Sequence, residues 1–257
     1  MRIRQRLAYI ISGTPVPLDE QAALLPFEPE QTKPTPENIE GRKLNLGSGH
    51  DNKVGWINID IHERHQPDIV SDVTKLTEID DNSAAYALAQ DVLEHISRDT
   101  VMTALREWNR ALFPGGLLEI RTTDVIAITD LMRKQDTPED HNRFLQCMFG
   151  TQGYIGDFHL SGFTETWMRD ALVKTGFEVV YLGRKDKWLL DVVARKISHC
   201  PPDPLITEGT NEEFLRTAYT QLLGRDLDEE GRVYWMQQLS DGITREFIVR
   251  HLNEIKV

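Results

Sequence analysis

The chain has 257 residues, which at roughly 150 residues per domain predicts one to two domains. Hydrophobic residues make up 40% and charged residues 27% of the chain, an ordinary globular composition that excludes a fibrous or wholly disordered protein. The formal net charge of -12 disfavours a nucleic-acid partner, because such binding depends on basic surface. We therefore expect a folded, soluble protein that binds no nucleic acid.

Cysteine content and the N-terminus indicate the compartment. The two cysteines, Cys147 and Cys200, show no metal-ligand spacing, and a chain of this length needs no disulfide, so we expect a reducing, cytoplasmic environment. The apolar run that starts at Leu7 is shorter than the ~7 to 15 residues of a secretory signal. No apolar run approaches the ~20 residues of a membrane span. We expect neither export nor a membrane crossing.

The chain divides into three predicted regions. Residues 14–40 hold a series of prolines among polar residues, which predicts an extended arm or linker over residues 1–40. Residues 41–198 alternate short apolar runs with helical ones, the pattern of an α/β domain with a parallel sheet. The proline-rich break from Cys200 to Pro204 ends this domain, and residues 205–257 predict a small all-helical module. Such a module is small for independent stability, so we expect it to pack on the first domain or on a partner.

The predicted elements of the α/β domain follow from periodicity and from capping residues. Strands are predicted at 43–46, 56–60, 68–70, 86–90, 117–121, 178–182 and 188–194. One helix is predicted over 99–112, and a second begins after its N-cap Thr164 and stops at Gly176. The charged helical region between Ile126 and Gly150 is expected to form a lid or insertion over the sheet edge.

A glycine turn follows the first strand. Leu44-Asn45-Leu46 runs into Gly47-Ser48-Gly49, and glycine lets backbone approach a ligand at the carboxyl end of a strand, although a tight structural turn is the alternative. A dinucleotide fingerprint needs a third glycine where Asn52 stands, and the Gly-Lys-Ser/Thr phosphate loop is absent, so pyrophosphate binding is disfavoured.

Two carboxylates follow the next strands. Asp60 ends the strand Gly55-Trp-Ile-Asn-Ile-Asp60 and could accept both hydroxyls of a ribose, or it could be a solvated strand end. Asp72 follows the third strand and could accept from an adenine amino group, or it could cap the local turn.

Six short motifs occur in order between about Gly41 and Lys196. They are Leu44-Asn-Leu-Gly-Ser-Gly49, Gly55-Trp-Ile-Asn-Ile-Asp60, Asp72-Val-Thr-Lys-Leu76, Asp91-Val-Leu-Glu-His95, Leu112-Phe-Pro-Gly-Gly116, and Asp157-Phe-His159 before Gly162-Phe-Thr164. This series resembles the class I S-adenosylmethionine-dependent methyltransferases, and more narrowly those found with bacterial polysaccharide and glycosyl-transfer enzymes. The resemblance implies a Rossmann-like seven-stranded sheet whose last strand is antiparallel.

The resemblance also implies a set of cofactor-binding residues for S-adenosylmethionine. They are Asn45, Gly47, Ser48, Gly49, Asp60, Ile61, Asp72, Val73 and Gln90. Many relatives have an acidic residue at the position of Asn45, so we expect the methionine amino group to be held more loosely or from elsewhere.

Methyl transfer to a sugar hydroxyl needs a general base, because a protonated hydroxyl is a poor nucleophile. His159 is the leading candidate, since it lies in the glycine-rich loop Gly153–Gly162 and imidazole titrates near neutral pH. Asp157 is close enough in sequence to orient it. The alternative is that His159 caps the following helix or bonds backbone. Asp91 is the second catalytic candidate, beside the methionine moiety and the substrate entrance.

Four further residues are predicted to contact the acceptor. Glu94 and His95 follow the fourth strand, with pinning of a local turn as the alternative. Arg121 and Asp124 close the fifth strand, where Arg121 favours a carboxylate or phosphate and a solvated loop is the alternative. A carboxylate cluster of Asp91, Glu94 and Asp124 could hold a metal, but we predict none.

The C-terminal module resembles phycobilisome-linker repeats from about Asn211 to Leu252. Asp226, Asp228 and Gly231 match positions of a calcium loop, but Gln237 stands where a bidentate glutamate is needed, so helix capping by Asp228 is favoured. Neighbouring Tyr234 and Trp235 are predicted to be core residues, with sugar stacking the alternative.

These observations lead to one functional hypothesis and two alternatives. The hypothesis is an S-adenosylmethionine-dependent methyltransferase that O-methylates a saccharide or other small-molecule acceptor, with a glycan-biosynthesis protein as partner of the C-terminal module. One alternative is a non-catalytic cofactor-binding scaffold of a glycan assembly system. The other is methylation of a protein or a small amine.

Overall fold

A computed structural model describes residues 32–255 of the chain. Most of the predicted arm, including the apolar run at Leu7, lies outside the described residues. The last part of the arm contains a short 3-10 helix, Pro36–Asn38. In the same part, Lys33 pairs with Glu119 and Asp191 of the sheet.

Seven strands form one sheet in the order β3-β2-β1-β4-β5-β7-β6. The strands are β1 (Lys43–Leu46), β2 (Ile57–Asp60), β3 (Ile69–Val70), β4 (Ala84–Gln90), β5 (Leu112–Thr123), β6 (Phe177–Lys185) and β7 (Leu189–Lys196). Strands β1 to β5 pair in parallel, whereas β7 runs antiparallel to both β5 and β6. The predicted Rossmann-like sheet with its last strand antiparallel is confirmed.

The central strands are apolar because both faces of a parallel sheet are covered. In β4, the six residues from Ala84 to Ala89 are all buried, and only Gln90 at the carboxyl end is partly open. Strand β5 starts earlier than predicted, since Leu112 already pairs with Ala84 across a register shift. Gly115, at φ +85°, lies within this irregular first part.

Eight α-helices accompany the sheet in the described part of the chain. They are α1 (Val101–Ala111), α2 (Val125–Met132), α3 (Pro138–Phe149), α4 (Glu165–Lys174), α5 (Pro204–Thr207), α6 (Asn211–Ala218), α7 (Glu229–Ser240) and α8 (Arg245–Glu254). The Thr164 side chain accepts from the Trp167 amide at the start of α4, and Gly176 follows its end at φ +83°, which confirms both predicted boundaries.

Helices α1 and α2–α3 are buried to very different degrees. In α1, Leu105 and Trp108 are fully buried, and the indole nitrogen of Trp108 donates to the carbonyl of Val73 at 2.9 Å. The region 126–150 is helical as predicted, but α2 buries only Ile128 and α3 buries no residue fully. The α2–α3 pair therefore lies on the outside of the domain, as a lid or insertion would.

The C-terminal module has its own core. Its buried residues are Phe214, Leu215, Ala218, Tyr219, Trp235, Ile248 and Leu252. The Trp235 indole donates to the Tyr219 hydroxyl at 2.9 Å, which confirms Trp235 as core. The prediction was wrong for Tyr234, which is 55% exposed, because consecutive residues of a helix point in different directions. Asp228 caps α7 by accepting from the Gly231 amide at 2.7 Å, as the capping interpretation requires.

The module packs against the α/β domain, as its small size predicts. Thr103 of α1 donates to the carboxylate of Glu246 in α8 at 2.8 Å, and Asp99 forms an ion pair with Arg250. Within the described residues, no helix is both long and apolar enough to cross a membrane. Both cysteines are free.

Candidate active site

The glycine turn after β1 depends on a left-handed backbone. Gly47 and Gly49 have φ of +63° and +52°, a region that other residues enter at a cost. A Cβ on Gly47 would also lie 2.6 Å from a methyl group of Val92, whereas a Cβ on Gly49 would meet open space. Only Gly47 is therefore required by both conformation and packing.

Asp60 lies beside this turn at the end of β2. Its carboxylate, 6% exposed, accepts from the amides of Gly49 and His62, both at 2.8 Å, and from Nδ1 of His65 at 3.0 Å. Burial opposes its charge, but the hydrogen bonds from His62, Gly49 and His65 hold the pKa of Asp60 below its ordinary value. Asp60 is thus an ionised, oriented acceptor and not a solvated strand end.

The Asn45 side chain links the glycine turn to the neighbouring strand. Its amide nitrogen donates to the Asp51 carbonyl at 2.8 Å and to the side-chain oxygen of Asn58 at 3.0 Å. These bonds join β1 to β2 and to the loop that follows the glycine turn. The side-chain nitrogen of Asn45 is therefore engaged within the protein.

The polar groups of the turn fit the cofactor that the resemblance implies. In the described part of the chain, Ser48 Oγ is one of three buried side-chain polar atoms without a hydrogen-bond partner. This orphan hydroxyl lies between two glycines whose backbone can approach a ligand, and next to the ionised Asp60. Such a set suits the hydroxyl and amine groups of S-adenosylmethionine.

Three further residues predicted to bind the cofactor differ in their surroundings. Ile61 is 60% exposed directly after Asp60, and Val73 is buried at the start of the loop after β3. The Asp72 carboxylate accepts from the Thr74 amide at 2.8 Å, so it has the capping role that the sequence left open.

Two predicted residues pair with each other at the ends of β4 and β5. Asp91 has φ +55°, and its amide donates to the Arg121 carbonyl at 2.9 Å. Arg121 Nε donates to the Asp91 carboxylate at 3.0 Å, and a second guanidinium nitrogen bonds its other oxygen. Gln90 is the register partner of Arg121. The carboxylate and the guanidinium therefore act as one bidentate unit.

Glu94 has a different position from the predicted one. Its side chain is 2% exposed and accepts from the Thr122 hydroxyl at 2.7 Å. Burial raises the pKa of Glu94 to about 7, and the nearby Asp91 adds to this effect against the hydrogen bond from Thr122. The predicted contact of Glu94 with an acceptor is not supported, because the carboxyl group points into the protein.

His95 and His159 lie together at this edge. Their rings are 4.8 Å apart at 88°, and both side chains are half-buried. His95 Nδ1 lies 3.2 Å from the Phe158 carbonyl oxygen. Burial and the neighbouring His95 lower the pKa of His159. The structure thus brings a predicted catalytic residue and a predicted substrate residue into direct contact.

The loop that carries His159 also reaches the residues that follow β2. A Cβ on Gly156 would lie 3.4 Å from His62 Nε2, and the Arg64 guanidinium lies 5.2 Å from the centre of the Tyr154 ring. At its other end, Leu160 donates to the Glu94 carbonyl at 2.7 Å. This loop therefore joins the ends of β2 and β4.

Asp157 does not bond His159 as predicted. Its carboxylate accepts from the Thr151 hydroxyl. That hydrogen bond, with smaller contributions from the Gly153 amide and His95, holds the pKa of Asp157 below its ordinary value against slight burial. Asp157 therefore fixes its own loop and leaves His159 to be oriented by other contacts.

Asp124 is a structural residue, contrary to the predicted acceptor contact. It is fully buried, caps α2 by accepting from the amides of Ile126 and Ala127, and bonds Arg184 Nε at 2.9 Å. Each carboxylate oxygen has two donors, the two amides on one and two guanidinium nitrogens of Arg184 on the other, so no lone pair is left for an acceptor.

Sequence reasoning missed the histidines around Asp60. The rings of His50 and His65 lie 4.5 Å apart, and His62 lies 5.5 Å from His65. The available signal was the spacing of His62 and His65, two and five residues after Asp60. Among residues 32–255, no group of three or more histidine, cysteine, aspartate or glutamate side chains is arranged to hold a metal ion.

Two family models match the chain. Residues 50–120 match the model described as a methyltransferase domain, which includes Asp60 and the segment from Asp91 to His95. The α/β domain therefore contains a segment that matches methyltransferase domains. Residues 205–254 match a domain of unknown function, DUF4214.

Solved structures of methyltransferases are similar to part of this chain. One is an S-adenosylmethionine-dependent methyltransferase from Methanosarcina mazei, 18% identical, with 62% of this chain and 93% of that chain covered and a TM-score of 0.48. A second, from Mesorhizobium loti, is 18% identical, with 63% and 93% covered and a TM-score of 0.46.

A third similar structure contains ligands. It is the 1,6-didemethyltoxoflavin-N1-methyltransferase of Burkholderia thailandensis, with bound 1,6-didemethyltoxoflavin and S-adenosylhomocysteine. It is 18% identical, with 62% of this chain and 72% of that chain covered and a TM-score of 0.43. None of these likenesses assigns a substrate to this chain. No curated protein matches the sequence.

Proposed function

We propose that this chain O-methylates a hydroxyl group of a saccharide or saccharide-containing acceptor. The observation that carries the proposal is the contact of His95 with His159 at the sheet edge that also holds the glycine turn and Asp60. Imidazole is a base that titrates near neutral pH, and a hydroxyl acceptor needs such a base.

Four residues would hold the methyl donor. Gly47 and Gly49 would let the backbone approach it, Ser48 would offer its orphan hydroxyl, and Asp60 would accept from the ribose hydroxyls. When bound, S-adenosylmethionine supplies a methyl group that the positive sulfonium makes electrophilic. The protein then contributes alignment and the exclusion of water.

The histidine pair would remove the proton of the acceptor hydroxyl. His159 remains the base that the sequence favours, with His95 in ring contact with it. The Asp91 carboxylate and the Arg121 guanidinium, already paired with each other, would orient neighbouring hydroxyl groups through charge-assisted hydrogen bonds.

Exposed aromatic side chains near the histidines suit a sugar. Tyr154 is 53% and Phe158 is 40% exposed, and both belong to the loop that carries His159. Aromatic faces can pack against the apolar face of a sugar ring, while Asp91 and Arg121 offer polar contacts to its hydroxyls. This combination supports a saccharide acceptor over a purely apolar one.

The helical module would dock the enzyme on a protein of glycan biosynthesis in the cytoplasm. Val233 and Tyr234 of α7 support this role, because they are 56% and 55% exposed on the surface of the module. Such exposed apolar residues are available for a protein contact.

A turnover screen tests the function. Purified full-length protein is mixed with S-adenosylmethionine labelled in its methyl group and, in separate arms, with methyl glycosides of hexoses and 6-deoxyhexoses, with small amines, and with peptides. Label in a methyl glycoside supports the proposal, and label only in amines or peptides overturns the saccharide acceptor. If titration calorimetry detects no binding of S-adenosylmethionine, the proposal as a whole is wrong. Binding of S-adenosylmethionine without any turnover would favour a non-catalytic cofactor-binding scaffold.

A further inference from the structure

We infer that His95 is the general base of the proposed reaction and that His159 is a residue that positions it. The inference rests on the proposed function. It reverses the order that the sequence suggests for the two histidines. Three separate observations carry it: the hydrogen bond of His95, the anchoring of the loop that provides that bond, and the surroundings of His159.

The hydrogen bond of His95 determines where its proton lies. His95 Nδ1 is 3.2 Å from the Phe158 carbonyl oxygen, and a carbonyl oxygen only accepts. The proton of the neutral ring is therefore on Nδ1, which leaves the lone pair on Nε2. A histidine oriented in this way by a carbonyl is prepared to accept a proton at its other nitrogen.

The Nε2 atom of His95 is accessible. Within the described residues it has no hydrogen-bond partner, and the buried side-chain atoms without partners there are Ser48 Oγ, Arg106 Nε and His159 Nδ1. The lone pair of His95 Nε2 is thus open to solvent at the sheet edge. An acceptor hydroxyl can reach it without displacing a protein contact.

The Phe158 carbonyl is held in place by backbone hydrogen bonds of the three residues that follow it. The His159 amide donates to the Phe149 carbonyl at 3.2 Å. The amides of Leu160 and Ser161 donate to the Glu94 carbonyl at 2.7 and 3.0 Å. The carbonyl that fixes His95 is therefore attached both to α3 and to the residue that precedes His95.

His159 is a poorer proton acceptor than His95 because of its surroundings. Its Nδ1 is buried without a hydrogen-bond partner in the described chain, so a charged ring would leave a buried N–H unpaired. The cation would also face His95 at 4.8 Å. Its ring, at 88° to that of His95, instead forms an edge-to-face contact that restricts the orientation of His95.

Charged groups lie around His95 on several elements. Asp157 faces it from the loop of His159, and the Asp91–Arg121 pair lies at the ends of β4 and β5. Glu94, the neighbouring residue, points inward to Thr122.

The proton balance of the step is simple. The hydroxyl proton passes to Nε2 of His95 while the oxygen lone pair forms the bond to the methyl carbon. The electron pair of the broken S–C bond stays on sulfur, which becomes a neutral thioether. His95 then releases its proton to solvent, so no oxidant, reductant or metal is needed.

Nitrogen NMR of the full-length protein tests the inference without an acceptor. Imidazole ¹⁵N correlation spectra give the tautomer of each histidine. We expect His95 to carry its proton on Nδ1, because that atom faces the Phe158 carbonyl. A proton on Nε2 of His95 would overturn the inference. This result stands even where every methyl glycoside fails and the proposed function falls.

Turnover of a methyl glycoside adds the catalytic test. His95→Gln is expected to lower kcat by about 100-fold or more, to remove the loss of rate at low pH, and to leave the Kd for S-adenosylmethionine within about twofold. His159→Gln is expected to lower kcat by less than about 10-fold and to keep that loss of rate. His199→Gln, at an exposed site, is the matched control. A larger kcat loss in His159→Gln than in His95→Gln would reject His95 as the base.

Discussion

Hydrogen-bond partners decide what each polar residue of the site can do. Asp60, Glu94 and Asp124 are all buried carboxyl groups at or near strand ends, yet their surroundings differ. Asp60 accepts from two backbone amides, which hold its pKa low. Glu94 accepts from one hydroxyl, and burial raises its pKa. The carboxylate of Asp124 already accepts from the helix cap and from Arg184. Residue type alone therefore assigns none of these roles.

Asp60→Asn is expected to weaken binding of S-adenosylmethionine by about 10- to 100-fold. The reason is the loss of a charge-assisted acceptor worth about 1.5 to 3 kcal/mol. Titration calorimetry measures the change. Asp51→Asn is the control, because that exposed carboxylate pairs with Lys53 only. Unchanged affinity in Asp60→Asn, with a native circular dichroism spectrum, would rule out the ribose assignment.

Glu94→Gln is expected to stabilise the protein at pH 8 and to have little effect at pH 5. Because the pKa of Glu94 is raised to about 7, the folded state holds a proton that the unfolded chain loses above its ordinary value near 4.3. Stability therefore falls as pH rises between these values, by an amount on the order of 3 kcal/mol. Glutamine keeps the acceptor for Thr122 and does not ionise.

Urea unfolding at several pH values between 5 and 8 measures this effect. The difference in unfolding free energy between Glu94→Gln and wild type should grow with pH in favour of the variant. Glu139→Gln, at an exposed position in the first turn of α3, should show no such trend. A gap that is independent of pH would contradict the raised pKa.

At the scale of an element, the turn between β1 and β2 joins the proposed cofactor site to the proposed catalytic histidines. Gly47 packs against Val92, and Val92 precedes the short helix Leu93–His95 that carries the proposed base. The Gly49 amide donates to Asp60 at the other end of the turn. A substitution in the turn should therefore affect both the binding of S-adenosylmethionine and the rate of methyl transfer.

Gly47→Ala is expected to destabilise the protein by about 2 to 4 kcal/mol. A residue with a side chain resists φ +63°, and the new Cβ would overlap Val92. Gly49→Ala, with similar φ but open space, should cost only about 1 to 2 kcal/mol. In the double variant with Gly47→Ala and Val92→Ala, the loss of unfolding free energy should be smaller than the sum of the losses in the two single variants. Equal costs at the two glycines in denaturant unfolding would reject the packing argument.

At the scale of the whole molecule, an ion cluster connects distant parts of the chain. Lys33 Nζ lies 2.7 Å from carboxylate oxygens of Glu119 in β5 and Asp191 in β7. The Tyr86 hydroxyl of β4 also bonds Glu119. Both carboxylates are largely buried, so Lys33 offsets two charges that water reaches poorly.

Lys33→Met is expected to lower the free energy of unfolding by about 1 to 3 kcal/mol. The variant leaves Glu119 and Asp191 facing each other without a cation. Lys53→Met is the control, since its partner Asp51 is exposed and the pair should contribute less than about 1 kcal/mol. Urea midpoints compare the two variants. A loss for Lys33→Met no larger than the control would show that the cluster adds nothing to stability.

Local patterns were sufficient for the elements of the chain. The strands from β1 to β7 and the boundaries of α4 at Thr164 and Gly176 follow from periodicity, capping and glycine, which are properties of neighbouring residues. The motif series predicted the sheet topology. The early start of β5 could not be predicted, because it depends on the pairing of Leu112 with Ala84.

The sequence by itself determined the α/β sheet, the glycine turn and Asp60 as the strand-end carboxylate beside it. Only the tertiary structure decided which polar side chains are free to act. Asp124 meets Arg184 across 60 positions and His95 meets the Phe158 carbonyl across 63, and no local pattern encodes such partners. A buried polar group must take whatever donor or acceptor the fold brings to it. That requirement removed Asp124 and Glu94 from the acceptor site and turned His95 into the proposed base.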